Sequence, residues 1–80
     1  MSNSEKYLNA FVEVLGITEE EAAKLTYQGV ESWDSVGHMS LVAALEEAFD
    51  IMMDTDDIID FSSFEKGKEI LAKTDYGVKF

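Results

Sequence analysis

Asp34, Ser35 and His38 are the residues of this chain whose types and spacing could do chemistry, and they stand together at the head of its clearest helical stretch. Three readings compete. The first is capping, since Asp and Ser at a helix start accept hydrogen bonds from the orphan N–H groups of the first turn. No capping box is completed, because the third residue after Asp34 is Gly37 and the third after Ser35 is His38, neither of them Glu or Gln. The second is nucleophilic catalysis, with Ser35 as nucleophile, His38 as base and Asp34 or another acid as orienter; i to i+3 spacing puts Ser35 and His38 on one helix face. No strand–turn–helix elbow and no oxyanion hole accompany the pair, and eighty residues leave little room for a substrate pocket. The third reading takes Ser35 as a site of covalent modification.

The elements that must position these residues are helical. Residues 1–80 make one small domain, of a size that buries only about 60% of the surface its unfolded chain exposes. There is no proline, and strand-type alternation is scarce. Helices are predicted over about 4–15, 35–49, 55–60 and 63–73. In the first, Ser4, Leu8, Phe11, Val12 and Leu15 follow one helix face, and Gly16 ends it. Ile17 to Asp34 is a long connection, with a short helical turn from Thr18 to Lys24 and anchors at Leu25, Tyr27, Val30 and Trp33. In the 35–49 helix, Leu41, Val42, Leu45, Ala48 and Phe49 form the inward stripe, which Val36, Met39 and Ala43 widen. The tail from Thr74 to Phe80 is expected to fray, with Tyr76 and Phe80 able to fold back. The fold class is therefore all-α: a four-helix bundle with a long loop between helices one and two and a short third helix.

Composition excludes several functions. The formal charge of −11 argues against nucleic acid and anionic membrane surfaces as partners. No lysine or arginine lies between Lys24 and Lys66, so the acids in that window make a surface of one sign, suited to steering toward basic patches or to solubility alone. Crowded like charges also predict a higher melting temperature at about pH 5 to 6 than at about pH 8. With no cysteine and a single histidine, the usual zinc sites are excluded. Asp54-Thr55-Asp56-Asp57 opens like an EF-hand loop and places Glu65 at the twelfth position, but Ile58 takes the fifth position and Ile59 replaces the turn glycine, so no dedicated metal site is expected. Met1 to Lys6 lacks the features of a signal peptide, and the apolar run Leu41 to Leu45 is too short to span a bilayer, so a cytoplasmic location is expected.

Asp34-Ser35-Val36, followed by Leu41-Val42-Ala43-Ala44-Leu45-Glu46-Glu47-Ala48-Phe49-Asp50-Ile51, resembles the Asp-Ser-Leu attachment motif and second helix of acyl carrier proteins. The likeness runs from about residue 4 to residue 73, through an aromatic anchor at Tyr27 to Phe61-Ser62-Ser63-Phe64. It implies a four-helix bundle of acyl-carrier type, a monomer and not an enzyme. Ser35 would receive 4′-phosphopantetheine from coenzyme A through a phosphopantetheinyl transferase, and the arm's thiol would hold acyl intermediates as thioesters for fatty acid, polyketide or specialised biosynthesis. Asp34 would neighbour the phosphate and His38 could do so as well, although a partly exposed helix residue without a private role is the ordinary reading of His38. Basic patches on acyl-loading and acyl-using enzymes would read Asp34, Val36, Glu46, Glu47, Asp54, Asp56 and Asp57. Met39, Ala43, Met52, Met53 and Ile59 would line an acyl pocket, although core packing is the ordinary role for most of them. Val36, Gly37, His38 and Ser40 depart from the leucine and acids common in carriers of fatty acid synthesis. The run Trp33 to Met39 looks more like specialised free-standing carriers found beside surface-polysaccharide or secondary-metabolite genes. An aminoacyl or peptidyl carrier, or an acidic helical adaptor without a prosthetic group, are the alternatives.

Overall fold

The computed structural model describes residues 2–73 and 76–80. Among them are five helices and no strand: α1 (Asn3–Leu15), α2 (Glu19–Ala23), α3 (Ser35–Phe49), α4 (Thr55–Asp60) and α5 (Phe64–Leu71). The all-α expectation holds. α2 is the short helical turn expected between Thr18 and Lys24 in the long connection. Its cause is a complete capping box: Glu21 N–H donates to Thr18 Oγ1 at 3.2 Å, and Thr18 N–H donates to Glu21 Oε1 at 3.1 Å.

α1 begins at Ser2, whose Oγ accepts from Glu5 N–H, and ends at Gly16 in left-handed geometry (φ 64°). Its buried face is Tyr7, Ala10, Phe11 and Leu15, rotated from the expected stripe; Leu8 and Val12 are only half-buried. Tyr7 reaches the core because its hydroxyl donates to the Phe64 carbonyl at 2.5 Å, so burial leaves no polar group unpaired. That burial pushes the Tyr7 phenol far above its usual pKa.

The rest of the connection is fastened at both sides. Thr26 and Ser63 form an isolated antiparallel bridge, flanked by Tyr27 N–H to Ser62 C=O (2.8 Å) and Phe64 N–H to Leu25 C=O (2.9 Å). The Ser32 hydroxyl donates to the Leu15 carbonyl at 2.7 Å. The aromatic anchor is Trp33, fully buried, and not Tyr27, which lies at the surface with its ring edge-on to Trp33. Tyr7, Phe11, Trp33, Phe61 and Phe64 pack into one aromatic cluster, mostly edge-on or tilted with Phe11 and Phe61 stacked, which joins the α3 residues Leu41, Val42 and Leu45 in the core.

α3 has the expected bounds but a narrower buried face. Leu41, Val42 and Leu45 are buried and Phe49 half-buried, whereas Ala48, Val36, Met39 and Ala43 are exposed. Asp50 ends the helix in left-handed geometry (φ 53°). α5 starts at Ser63, whose Oγ accepts from Lys66 N–H at 3.0 Å. A Cβ at Gly67 would run into the Tyr7 hydroxyl and the Phe61 ring, so the close approach of α5 to the core requires glycine there.

α5 stops at Leu71, two residues before the expected end. The tail folds back instead of fraying: Val78 is buried, its N–H donates to Leu71 C=O at 3.0 Å, and the Phe80 ring stands edge-on to Tyr7 and Phe49. Of the residues expected to fray, Thr74 and Asp75 lie outside the described residues. Among the described residues no helix is long and apolar enough to cross a membrane.

Candidate functional site

Asp34 and Ser35 divide the work that the sequence left between them. Asp34 is the cap: its Oδ1 accepts from Gly37 N–H at 2.8 Å, and its carbonyl accepts from His38 N–H at 2.7 Å. Gly37 makes this start possible, because a Cβ there would strike the Ser32 carbonyl. A side chain of the acidic kind at that position would collide with the loop. Ser35, the first helical residue, is exposed, and among the described residues its hydroxyl has no hydrogen-bond partner. The pure capping role for Ser35 is thereby removed.

His38 is neither a base for Ser35 nor an idle surface residue. Trp33 Nε1 lies 2.9 Å from His38 Nδ1, and His38 Nε2 lies 2.8 Å from the Ile58 carbonyl. An indole nitrogen only donates, so Nδ1 accepts and carries no proton; the proton is on Nε2, which donates to Ile58. Both ring nitrogens are committed to protein partners, and the ring turns inward, stacked against Trp33 with planes 20° apart, while still lining a cleft together with Ser35. A signal for this was in the sequence. His38, Leu41, Val42, Leu45 and Phe49 follow i, i+3, i+4, i+7 and i+11, the register of the buried face.

Beside Ser35 lies a cleft of about 320 Å³ between α3 and α4, with Tyr27, His38, Met39, Ile58 and Ile59 among its walls. Of the five residues expected to line a pocket, Met39 and Ile59 do so. Ala43 and Met52 lie outside the lining and are exposed, and Met53 belongs to the core. Val36 (75% exposed), Met39 (54%) and Ile59 (72%) give the neighbourhood of Ser35 an apolar surface. Val36 and Met39, expected to widen the inward stripe of α3, are left uncovered by α4, which is six residues long and turns Ile59 outward.

The acids expected to face partners separate into four groups. Asp34, Asp54 and Asp56 are exposed. Glu47 is exposed but lines a different groove, with Lys6, Asn9 and Glu13 of α1. Glu46 is half-buried, and its Oε2 accepts from Met53 N–H at 2.9 Å, which holds the turn after α3. Asp57 is the clearest correction, being 7% exposed and turned inward. Its Oδ1 accepts from Lys73 Nζ at 2.6 Å and its Oδ2 from the Tyr76 hydroxyl at 2.6 Å, while that hydroxyl accepts from Asp54 N–H at 2.8 Å. The hydrogen bonds from Lys73 and then Tyr76 hold the Asp57 carboxyl below its ordinary pKa. The bond to Asp57 raises Lys73, and burial followed by the same bond raises Tyr76. Nothing in the local sequence marks Asp57, since its partners lie sixteen and nineteen residues away.

Among the described residues no group of three or more His, Asp or Glu is placed to hold a metal ion, and every buried side-chain nitrogen or oxygen has a partner. Comparisons with protein-family models, curated proteins and solved structures give no match.

Proposed function

We propose that this chain is an acyl carrier protein of the four-helix type, α1, α3, α4 and α5 being the four and α2 part of the connection, and that it is modified at Ser35 with 4′-phosphopantetheine. The observation that carries the reading is the division between Asp34 and Ser35. A serine retained at the first position of a helix, exposed and relieved of capping by its neighbour, has a hydroxyl available to a modifying enzyme. The residues present fit the group. Among the described residues, the N–H groups of Ser35 and Val36 have no protein acceptor, and the positive end of the α3 dipole favours a phosphodiester on the Ser35 oxygen. When bound, the group supplies a terminal thiol that holds acyl groups as thioesters.

The protein's own residues would bind and present it. Asp34 fixes the first turn, Val36 and Met39 offer apolar contact on the outward face of α3, and Asp54 and Asp56 add negative charge on the neighbouring α4. A partner with a basic patch around an apolar centre complements that surface. The hydrogen bonds of both His38 ring nitrogens to Trp33 and Ile58 favour the carrier reading over a minimal hydrolase with His38 as base. The test is intact-protein mass spectrometry after incubation with coenzyme A and a broad-specificity phosphopantetheinyl transferase, with Ser35→Ala alongside. A gain of one phosphopantetheine, absent in the variant, is the expected result. No gain with several transferases leaves an acidic helical adaptor.

A further inference from the structure

We propose that His38 closes the floor of the cleft beside Ser35 and so restricts the cargo to short acyl groups. The proposal rests on the carrier reading, because it concerns what a tether on Ser35 can lay into that cleft.

Exposure orders the cleft by depth. Met39 and Ile59 form its rim, His38 is half-buried below them, and Phe61 is buried at the same wall. Behind the imidazole stands Trp33, fully buried, with Phe11 and Phe61 edge-on to it. Three aromatic side chains thus occupy the interior that a long chain would have to enter. At about 320 Å³ the cleft is at the small end of the range of roughly 300–1,000 Å³ for ligand sites.

The imidazole is fixed as well as bulky. One ring nitrogen accepts from the Trp33 indole and the other donates to the Ile58 carbonyl across the α3–α4 gap. Displacing the ring would orphan a buried indole N–H and the Ile58 carbonyl together. The first methylenes of a cargo gain by covering Met39 and Ile59 without disturbing these bonds. Further methylenes must break both bonds or lie in water, and burial of one methylene does not offset an orphaned polar group. The ring therefore sets a limit that rim residues alone would not impose.

The test loads the full chain with acetyl-, butyryl-, octanoyl- and dodecanoyl-coenzyme A through a broad-specificity transferase, each product being verified by intact mass. Melting temperature and Trp33 fluorescence, which comes from the single tryptophan of the chain, are then read against chain length. The expected result for the unsubstituted protein is that both stop changing after butyryl. His38→Ala should let octanoyl raise the melting temperature several degrees above butyryl and shift the Trp33 emission. His38→Gln, which keeps a hydrogen-bonding side chain without the ring, replaces it if the alanine variant does not fold. A melting temperature in the unsubstituted protein that climbs through octanoyl and dodecanoyl would overturn the proposal while leaving the carrier reading intact. So would a folded variant with no gain beyond butyryl. Failure of every coenzyme A derivative to load at Ser35 would remove the carrier reading and the cargo limit with it.

Discussion

α1 and α4 flank the same helix, α3, and are held by different forces. α1 gives the core Tyr7, Ala10, Phe11 and Leu15, a continuous apolar face whose one polar atom is paired. α4 buries a carboxylate and turns Ile59 to solvent; it is fastened by His38 to the Ile58 carbonyl on one side and by Lys73 and Tyr76 to Asp57 on the other. Apolar burial is spread over many contacts and fails as a unit, whereas a few directional bonds can release one segment alone. α4 is thus tied by a few directional bonds where α1 is held by a shared apolar face.

The comparison can be broken first at the core. Trp33→Ala should cost about 3–5 kcal/mol, a large share of the stability of so small a domain, and abolish or strongly lower the cooperative transition in urea. A cost close to that of a surface substitution would mean that the aromatic cluster is not what holds α1 and α3. Gly67→Ala comes next, at about 1–3 kcal/mol, because the added methyl meets the Tyr7 hydroxyl and the Phe61 ring; its urea midpoint measures this directly.

At α4 the effects should be local. Asp57→Asn removes the charge that Lys73 pairs with, and hydrogen exchange should quicken at the α4 amides while those of α1 keep their protection. Equal loss of protection in both helices would erase the distinction between them. The pH profile sharpens it. The Asp57 carboxyl has a depressed pKa in the folded protein, so its contribution is present above the ordinary carboxylate value and is lost as pH falls through the folded one. The melting temperature should therefore fall as pH drops below about 4, where the unfolded carboxyl takes up a proton that the folded Asp57 resists. In Asp57→Asn the acid fall should flatten. The smallest effect belongs to Ile59→Ser at the cleft rim, which should alter stability by no more than about 0.5 kcal/mol in urea titration, since the side chain is already in water.

Particular residues show where the sequence is legible. Ser35–Phe49 could be bounded because Asp34 offers a cap and the apolar spacing persists for four turns; Gly16 marks the end of α1 because only the left-handed region suits the turn there. α1 carries two apolar stripes, one through Tyr7 and one through Leu8, that overlap at Phe11 and Leu15, and the Tyr7 stripe is the buried one, its hydroxyl paired by the Phe64 carbonyl fifty-seven residues away. The buried face of α3 is narrower than its apolar stripe for a related reason. Apolar residues at Val36, Met39 and Ala43 show what a surface could bury, and whether anything covers them depends on a distant element.

The amino-acid sequence alone determined the helical class, the start of α3 and the placing of an Asp-Ser pair at that start, because capping and periodicity act within a few residues of the chain. Which of Asp34 and Ser35 caps was decided by the geometry of the first turn, and only the tertiary structure decided that His38 joins Trp33 to α4 and that Asp57 turns inward to Lys73 and Tyr76. A hydroxyl, an imidazole or a carboxylate has several possible partners in a sequence, and folding selects among them by which can be reached with good geometry once water is excluded.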